Sequence, residues 1–353
     1  MSIPEAAAGR PGDLAARAYE EEQFGRWEAA ARLYALSFRR AVLDGQVEQA
    51  ADSLRGQARV LIQEERFDEA EELVELSREM AGRAGLTRSV GRAVNVLGII
   101  RYHRRDWAGA REHYRRALEF ALDVGDDDLA GLALQNAGVI AYVLGDLREA
   151  RSLYLESIGS FVRSGNTGNA LLAYNNLGIA SADLKEWLEA EIYYTRGIEL
   201  AERQSQSGML AKLYGNRAEP LIQIGEIPAA VETLRKAQAA AEAVGDRLAV
   251  MEVERWRSRI ARLEGDFEAA ERHIARALEL ATGPSLERAA ALRELGSLRQ
   301  AHGRVDEAHE AYLRSEELYA SLGAEAHARE VGRRLADLAT QSLPEPVESY
   351  GVG

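Results

Sequence analysis

The 353-residue chain contains no cysteine, which excludes disulfides, thiolate metal sites and a cysteine nucleophile and fits a reducing compartment. Proline is scarce at 7 residues and aromatics make up only 7%. Positive charge is outweighed, with 44 Lys and Arg against 57 Asp and Glu for a formal net charge of -13. That balance opposes direct binding of nucleic acid or of an anionic membrane, both of which draw on net positive surface. No stretch approaches eighteen uninterrupted apolar residues, and the start MSIPEAAAGRPGDLAAR lacks the basic and apolar runs of a secretory signal. The expected location is the cytoplasm. Catalytic signatures are missing too: there is no P-loop, no GxGxxG after a strand, no GxSxG and no HExxH. The histidines His103, His113, His273, His302, His309 and His327 show no ligand spacing, and each is expected at the surface or between helices. The expectation is a protein that is not an enzyme and needs no metal or cofactor.

A repeat dominates what is present. An aromatic or branched apolar marker stands at Trp27, Phe67, Trp107, Leu147, Trp187, Ile227, Phe267 and Val305, forty residues apart except for a last step of thirty-eight. Three residues after every marker comes alanine: Ala30, Ala70, Ala110, Ala150, Ala190, Ala230, Ala270 and Ala308. Nine residues before it the residue is always small: Ala18, Ala58, Gly98, Gly138, Gly178, Ala218, Ser258 and Gly296. Seven after it stands a bulky residue, Tyr34, Val74, Tyr114, Tyr154, Tyr194, Leu234, Ile274 or Tyr312, and ten after it Ser, Ala or Gly. Such a period marks a solenoid whose units bury their apolar faces only by stacking on neighbours.

Within residues 127–165, Leu132, Leu134, Ala137, Gly138 and Ala141 share one stripe of a first helix, expected over 128–143. Gly145-Asp146 ends it and caps a second helix over 147–163, and Gly165-Asn166 stops that one. The stop recurs at Gly45, Gly85, Gly125, Gly245 and Gly323, while the seventh repeat ends early in Gly283-Pro284. The pattern predicts an all-α, right-handed α-solenoid superhelix of eight helical hairpins plus a C-terminal capping helix. The expected division is a flexible segment 1–12, an array 13–323, a capping helix 324–342 and a flexible tail 343–353. In that cap Ala326, Val331, Leu335 and Leu338 are expected to face inward. Pro220 falls inside a first helix and is expected to kink it, and Arg101, His103, Arg104 and Arg105 form a basic cluster near a hairpin turn.

Leu97-Gly98, Leu177-Gly178, Glu189-Ala190 and Gly265-Asp266-Phe267 carry the pattern of the tetratricopeptide repeat, and the chain resembles that family over about residues 14–322. The family's common period is shorter, about thirty-four residues. The chain is therefore similar to the long-repeat branch of polarity adaptors, bacterial signal-peptide receptors and the arrays of large bacterial regulators. Gly often replaces the family's loop proline. The resemblance implies an inner wall lined by the first helix of each hairpin, helix A, at positions twelve, eleven, eight and five before the marker. Those positions hold Arg55 and Arg59; Asn95, Ile99 and Tyr102; Gln135, Asn136, Val139 and Tyr142; and Asn175, Asn176 and Ile179. They continue with Gly215, Asn216 and Glu219; Arg255, Trp256, Arg259 and Arg262; and Arg293.

An Asn amide offers a donor and an acceptor to the backbone of an extended peptide, arginine forks suit carboxylates, and the apolar members add contact area. The alternative role for the Asn row is to brace adjacent repeats. The expected function is a protein-interaction adaptor that takes an extended or helical segment of a protein or peptide partner carrying acidic and apolar residues. Two other readings stay open: a peptide-responsive regulator whose superhelix changes pitch, and a self-associating structural subunit. Both monomer and homodimer are compatible with the sequence.

Overall fold

The computed structural model describes residues 9–204 and 206–341. Residues 1–8 and 342–353, where most of the two expected flexible ends fall, lie outside the described residues. Among the described residues there are helices and no strand. The chain forms two units, one up to Leu184 and one from Lys185.

The first unit holds α1 (Pro11–Gln23), α2 (Trp27–Leu43), α3 (Val47–Gln63), α4 (Phe67–Arg83), α5 (Thr87–His103), α6 (Trp107–Val124), α7 (Asp127–Val143), α8 (Leu147–Ser164) and α9 (Thr167–Asp183). The second holds α10 (Trp187–Arg203), α11 (Ser207–Gln223), α12 (Ile227–Val244), α13 (Arg247–Leu263), α14 (Phe267–Leu280), α15 (Leu286–Ala301), α16 (Val305–Ser321) and α17 (Glu325–Gln341). Within each unit every helix packs on its sequence neighbours, and successive helices A, such as α5 with α7, also touch. Pro11 opens α1 from the first turn, where its missing N–H costs nothing.

Three-residue turns close the hairpins, and residues 144–146 show why. The Asp146 N–H donates to the Ala141 carbonyl at 2.9 Å and the Gly145 N–H to Tyr142 at 3.0 Å, which satisfies the last carbonyls of α7. Gly145 sits at φ 84°, the left-handed region, and Asp146 then caps α8 by accepting from the Glu149 N–H at 3.0 Å. Asp106, Asp126, Asn166, Asp246, Asp266 and Ser285 cap in the same way. In three turns the left-handed place is held by a residue other than glycine: Glu65, Arg105 and Lys185, at φ 59°, 60° and 62°.

The core follows the repeat pattern. The alanines three after the markers Trp27, Phe67, Trp107, Leu147, Trp187, Ile227, Phe267 and Val305 are all buried. At Gly98, Gly138 and Gly296, nine before their markers, the residue is small because a tyrosine ring lies on it. A Cβ on Gly98 would stand 2.5 Å from the Tyr114 ring, on Gly138 2.7 Å from Tyr154, and on Gly296 2.5 Å from Tyr312. The tenth position after the marker carries a second device. Ser77 Oγ donates to the Ala51 carbonyl at 2.9 Å and Ser315 Oγ to Ala289 at 2.7 Å, tying the second helix, helix B, to its own helix A.

The cap α17 differs in one detail from the expectation. Ala326 is exposed, and Ala328 takes its place beside Val331 and Leu338, because the steps 328, 331, 335 and 338 keep a tighter helical stripe. Pro220 is buried, and α11 runs three residues past it. No helix among the described residues is long and apolar enough to cross a membrane.

Candidate functional site

In the first unit the residues singled out on the helix-A wall come from α3, α5, α7 and α9. Asn95 is buried, 6% exposed, and its Oδ1 accepts a hydrogen bond from Asn136 Nδ2 at 3.2 Å. This rung joins α5 to α7 and realises the bracing role for that pair. Gln135, Asn136, Asn175 and Asn176 are half-buried, as are Ile99, Val139 and Ile179. Asn175 has a partner of its own. Gln135 Oε1 is stripped of solvent and has no hydrogen-bond partner.

The two wall tyrosines differ. Tyr142 Oη donates to Asp183 Oδ2 at 2.6 Å, and burial with that carboxylate raises its pKa, keeping the phenol a donor. Tyr102 packs edge-on to Trp107 at 5.5 Å, and its hydroxyl makes no hydrogen bond among the described residues. Tyr114 and Tyr154, which press on the buried glycines Gly98 and Gly138, have raised pKa values through burial, with Tyr102 as a neighbour of both.

Arg55 and Arg59, on α3, are engaged. Arg55, 4% exposed, pairs with Asp52 and donates to Ser77 Oγ at 3.1 Å. Burial, then the charges of Arg92 and Arg59, push its pKa down to about 9. Arg59 meets Glu22 through two nitrogens at 2.8 and 2.9 Å and donates to Tyr34 Oη at 2.8 Å.

The second unit presents a different wall on α11, α13 and α15. Asn216 is half-buried with a partner of its own. Arg255, 8% exposed, forks onto Glu252 and lies over the Trp256 ring at 4.1 Å. Burial alone would lower its pKa, but the Glu252 charge and hydrogen bond outweigh that and raise it. Arg259 reaches Glu219 at 3.4 Å, Arg262 meets Glu294 at 2.8 Å and Arg293 meets Glu330 at 3.0 Å. For Arg259 burial prevails and its pKa falls. Thus all six wall arginines have a carboxylate of this chain, and an acidic ligand would have to displace it.

These carboxylates were missed in the sequence, although a signal was available. Helices A one period apart are neighbours, so wall residues about forty apart must touch. Glu22–Arg59 and Arg293–Glu330 are 37 apart, Asn95–Asn136 41 and Glu219–Arg259 40. Two arginines of the basic cluster are likewise spent internally, Arg101 and Arg104 on Glu71 and Arg104 also on Asp68. Two histidines stack on aromatic markers, His103 on Phe67 at 5.7 Å and His302 on Phe267 at 4.6 Å. His273 Nδ1 meets Glu254 at 2.6 Å, and no cluster of metal-ligating residues occurs among the described residues.

Comparison with known proteins agrees with this construction. A family profile described as tetratricopeptide repeat matches residues 90–160 and 249–321. No curated protein sequence matches the chain. Among solved structures, the chain is similar to a signal transduction ATPase with numerous domains from Pyrococcus horikoshii that has a tetratricopeptide repeat sensor. That match has a TM-score of 0.67 at 14% identity and covers 92% of this chain and 50% of that one. A Rap protein complexed with competence and sporulation factor matches with a TM-score of 0.53 at 13% identity, covering 94% of this chain and 98% of that one. The apo quorum sensor NprR from B. thuringiensis matches at 0.54 and 13%, covering 93% and 98%. At these identities the likeness concerns the fold. With the hairpin geometry, the matched profile and the repeat register in agreement, the chain carries tetratricopeptide repeats at residues 90–160 and 249–321.

Proposed function

We propose that the chain is a protein-interaction adaptor, not an enzyme, and that the first unit's wall of α5, α7 and α9 takes an extended segment of a partner. The observation that carries this reading is the contrast in unspent hydrogen bonding. The arginines Arg55, Arg59, Arg255, Arg259, Arg262 and Arg293 already have carboxylates, whereas Gln135 and Tyr102 keep polar atoms without partners. Amide and phenol groups suit the peptide backbone and uncharged polar side chains, while Ile99, Val139 and Ile179 form a half-buried apolar row beside them. The favoured ligand is therefore apolar and uncharged, without the acidic anchors expected from the sequence. The Rap protein, solved with competence and sporulation factor bound, supports the reading by analogy of fold.

Peptides selected from a random decapeptide library displayed on phage provide the test. Tyr102→Ala with Asn176→Ala is expected to weaken their binding to the full chain at least about tenfold, roughly 1.4 kcal/mol. Arg259→Ala with Arg262→Ala is expected to leave it within about twofold. The reverse pattern would defeat the proposal.

A further inference from the structure

The last helix, α17, is a helix A without a helix B. Position 345 stands forty after Val305, so counting back from it places Ala336 nine before a ninth marker, Arg333 twelve before and Arg329 sixteen before. In complete hairpins these places face helix B. The Tyr312 ring of α16 lies on Gly296, the Ala289 carbonyl takes the Ser315 hydroxyl at 2.7 Å, and Arg55 donates to Ser77 of α4 at 3.1 Å. On α17 the same face is open. Ala326, Arg329, Arg333 and Ala336 are exposed, and with Gly332 they line a groove bounded by Glu316 of α16. Arg333 makes no ion pair among the described residues, and Arg329 only reaches Glu325 at 3.4 Å. The residues that follow lack the helix-B pattern, with Glu345 in place of the marker and Glu348 in place of its alanine. A second copy is poorly matched as well, because a two-fold pairing of two α17 helices about the middle of the groove would set Arg333 against its own copy.

We infer that this face of α17 docks an α-helix of another protein, which completes a ninth hairpin. The chemistry of that helix is read from the helices B of this chain: an apolar marker, alanine three residues on, a bulky residue seven on and a small one ten on. Ala336 is the seat of the bulky residue, as Gly296 is for Tyr312. The small side chains of Ala326, Gly332 and Ala336 let a second helix axis approach to about 8–10 Å. The two helices of a hairpin run antiparallel, so carboxylates toward the C-terminal end of the incoming helix come beside Arg333 and Arg329, which offer them fork-shaped donors. The seat belongs to the second unit and does not depend on the first unit's wall of α5, α7 and α9.

The probe is a fluorescein-labelled peptide of residues 187–203, which carries Trp187, Ala190, Tyr194 and Gly197 in the required register and Glu199 and Glu202 near its C-terminal end. Titrated with the full chain and followed by fluorescence anisotropy, it is expected to bind with a Kd below about 100 µM. Ala336→Phe fills the seat and is expected to weaken binding at least about tenfold, with Tm unchanged because Ala336 is exposed. Arg333→Glu is expected to weaken it about fivefold at low salt and less at high salt. The same peptide with Tyr194→Lys is expected to lose about as much as Ala336→Phe removes. Equal affinity for the parent chain and Ala336→Phe, or no binding by the parent, would overturn the docked helix. A dimer of the parent chain that excludes the peptide and is dissolved by Ala336→Phe would overturn it too, and would assign the face to a second copy.

Discussion

Positions twelve, eleven and eight before the marker hold Asn95, Val96 and Ile99, then Gln135, Asn136 and Val139 in the first unit, but Arg255, Trp256 and Arg259 in the second. The backbone at these places is the same helix A with the same three-residue turn. One wall nevertheless closes with an amide rung between Asn95 and Asn136 and leaves phenol and amide groups over. The other is a lattice of alternating charge in which Glu219, Glu252 and Glu294 answer Arg259, Arg255 and Arg262. The difference shows that the scaffold does not depend on wall chemistry, because the core is made by other positions: the alanine three after the marker and the small residue nine before it. Those are held by steric contact, so they recur in both units.

Four substitutions break or sharpen this comparison. The largest effect should be shared by both units. Gly98→Leu and Gly296→Leu each push a side chain into a tyrosine ring that a single Cβ would already meet at 2.5 Å, and each should cost about 3 kcal/mol in chemical denaturation. Next, Glu252→Gln removes the partner of a guanidinium whose side chain is 9% exposed. It should cost about 2 kcal/mol, below the full cost of breaking a buried pair because Glu252 itself is partly in water. Asn95→Leu opens the closed rung in the first unit and should cost only about 1 kcal/mol. A loss larger than that of Glu252→Gln would mean that the neutral wall is the more tightly coupled of the two.

Much of this scaffold was readable in the residues. Gly145-Asp146 announced its turn and Gly165-Asn166 its stop, because left-handed backbone and N-capping each demand a particular side chain, and local chemistry is visible locally. The turns at Glu65, Arg105 and Lys185 give no such sign, since there a residue other than glycine holds the left-handed place. Arg105→Gly should accordingly stabilise the first unit by about 0.5 to 1 kcal/mol, the smallest of the effects, read as a rise in denaturation midpoint.

The candidate wall was less legible. Its positions followed from the repeat register, and the structure brings Asn95 and Asn136 together, yet four of the six arginines are paired through contacts 32 to 40 residues away, such as Arg262–Glu294 and Glu219–Arg259. The isolated amide of Gln135 is a further case. Its lack of a partner comes from one extra methylene set against a fixed helix spacing, and a pattern of residue types does not carry that distance.

Ionic strength separates the two walls most directly. The affinity of a library-selected decapeptide for the full chain should be the same within about twofold at 0.05 and 0.5 M NaCl, because amide and apolar contacts are nearly indifferent to screening. A tenfold loss over that range would place the anchor on the arginines and contradict a ligand held by the neutral wall.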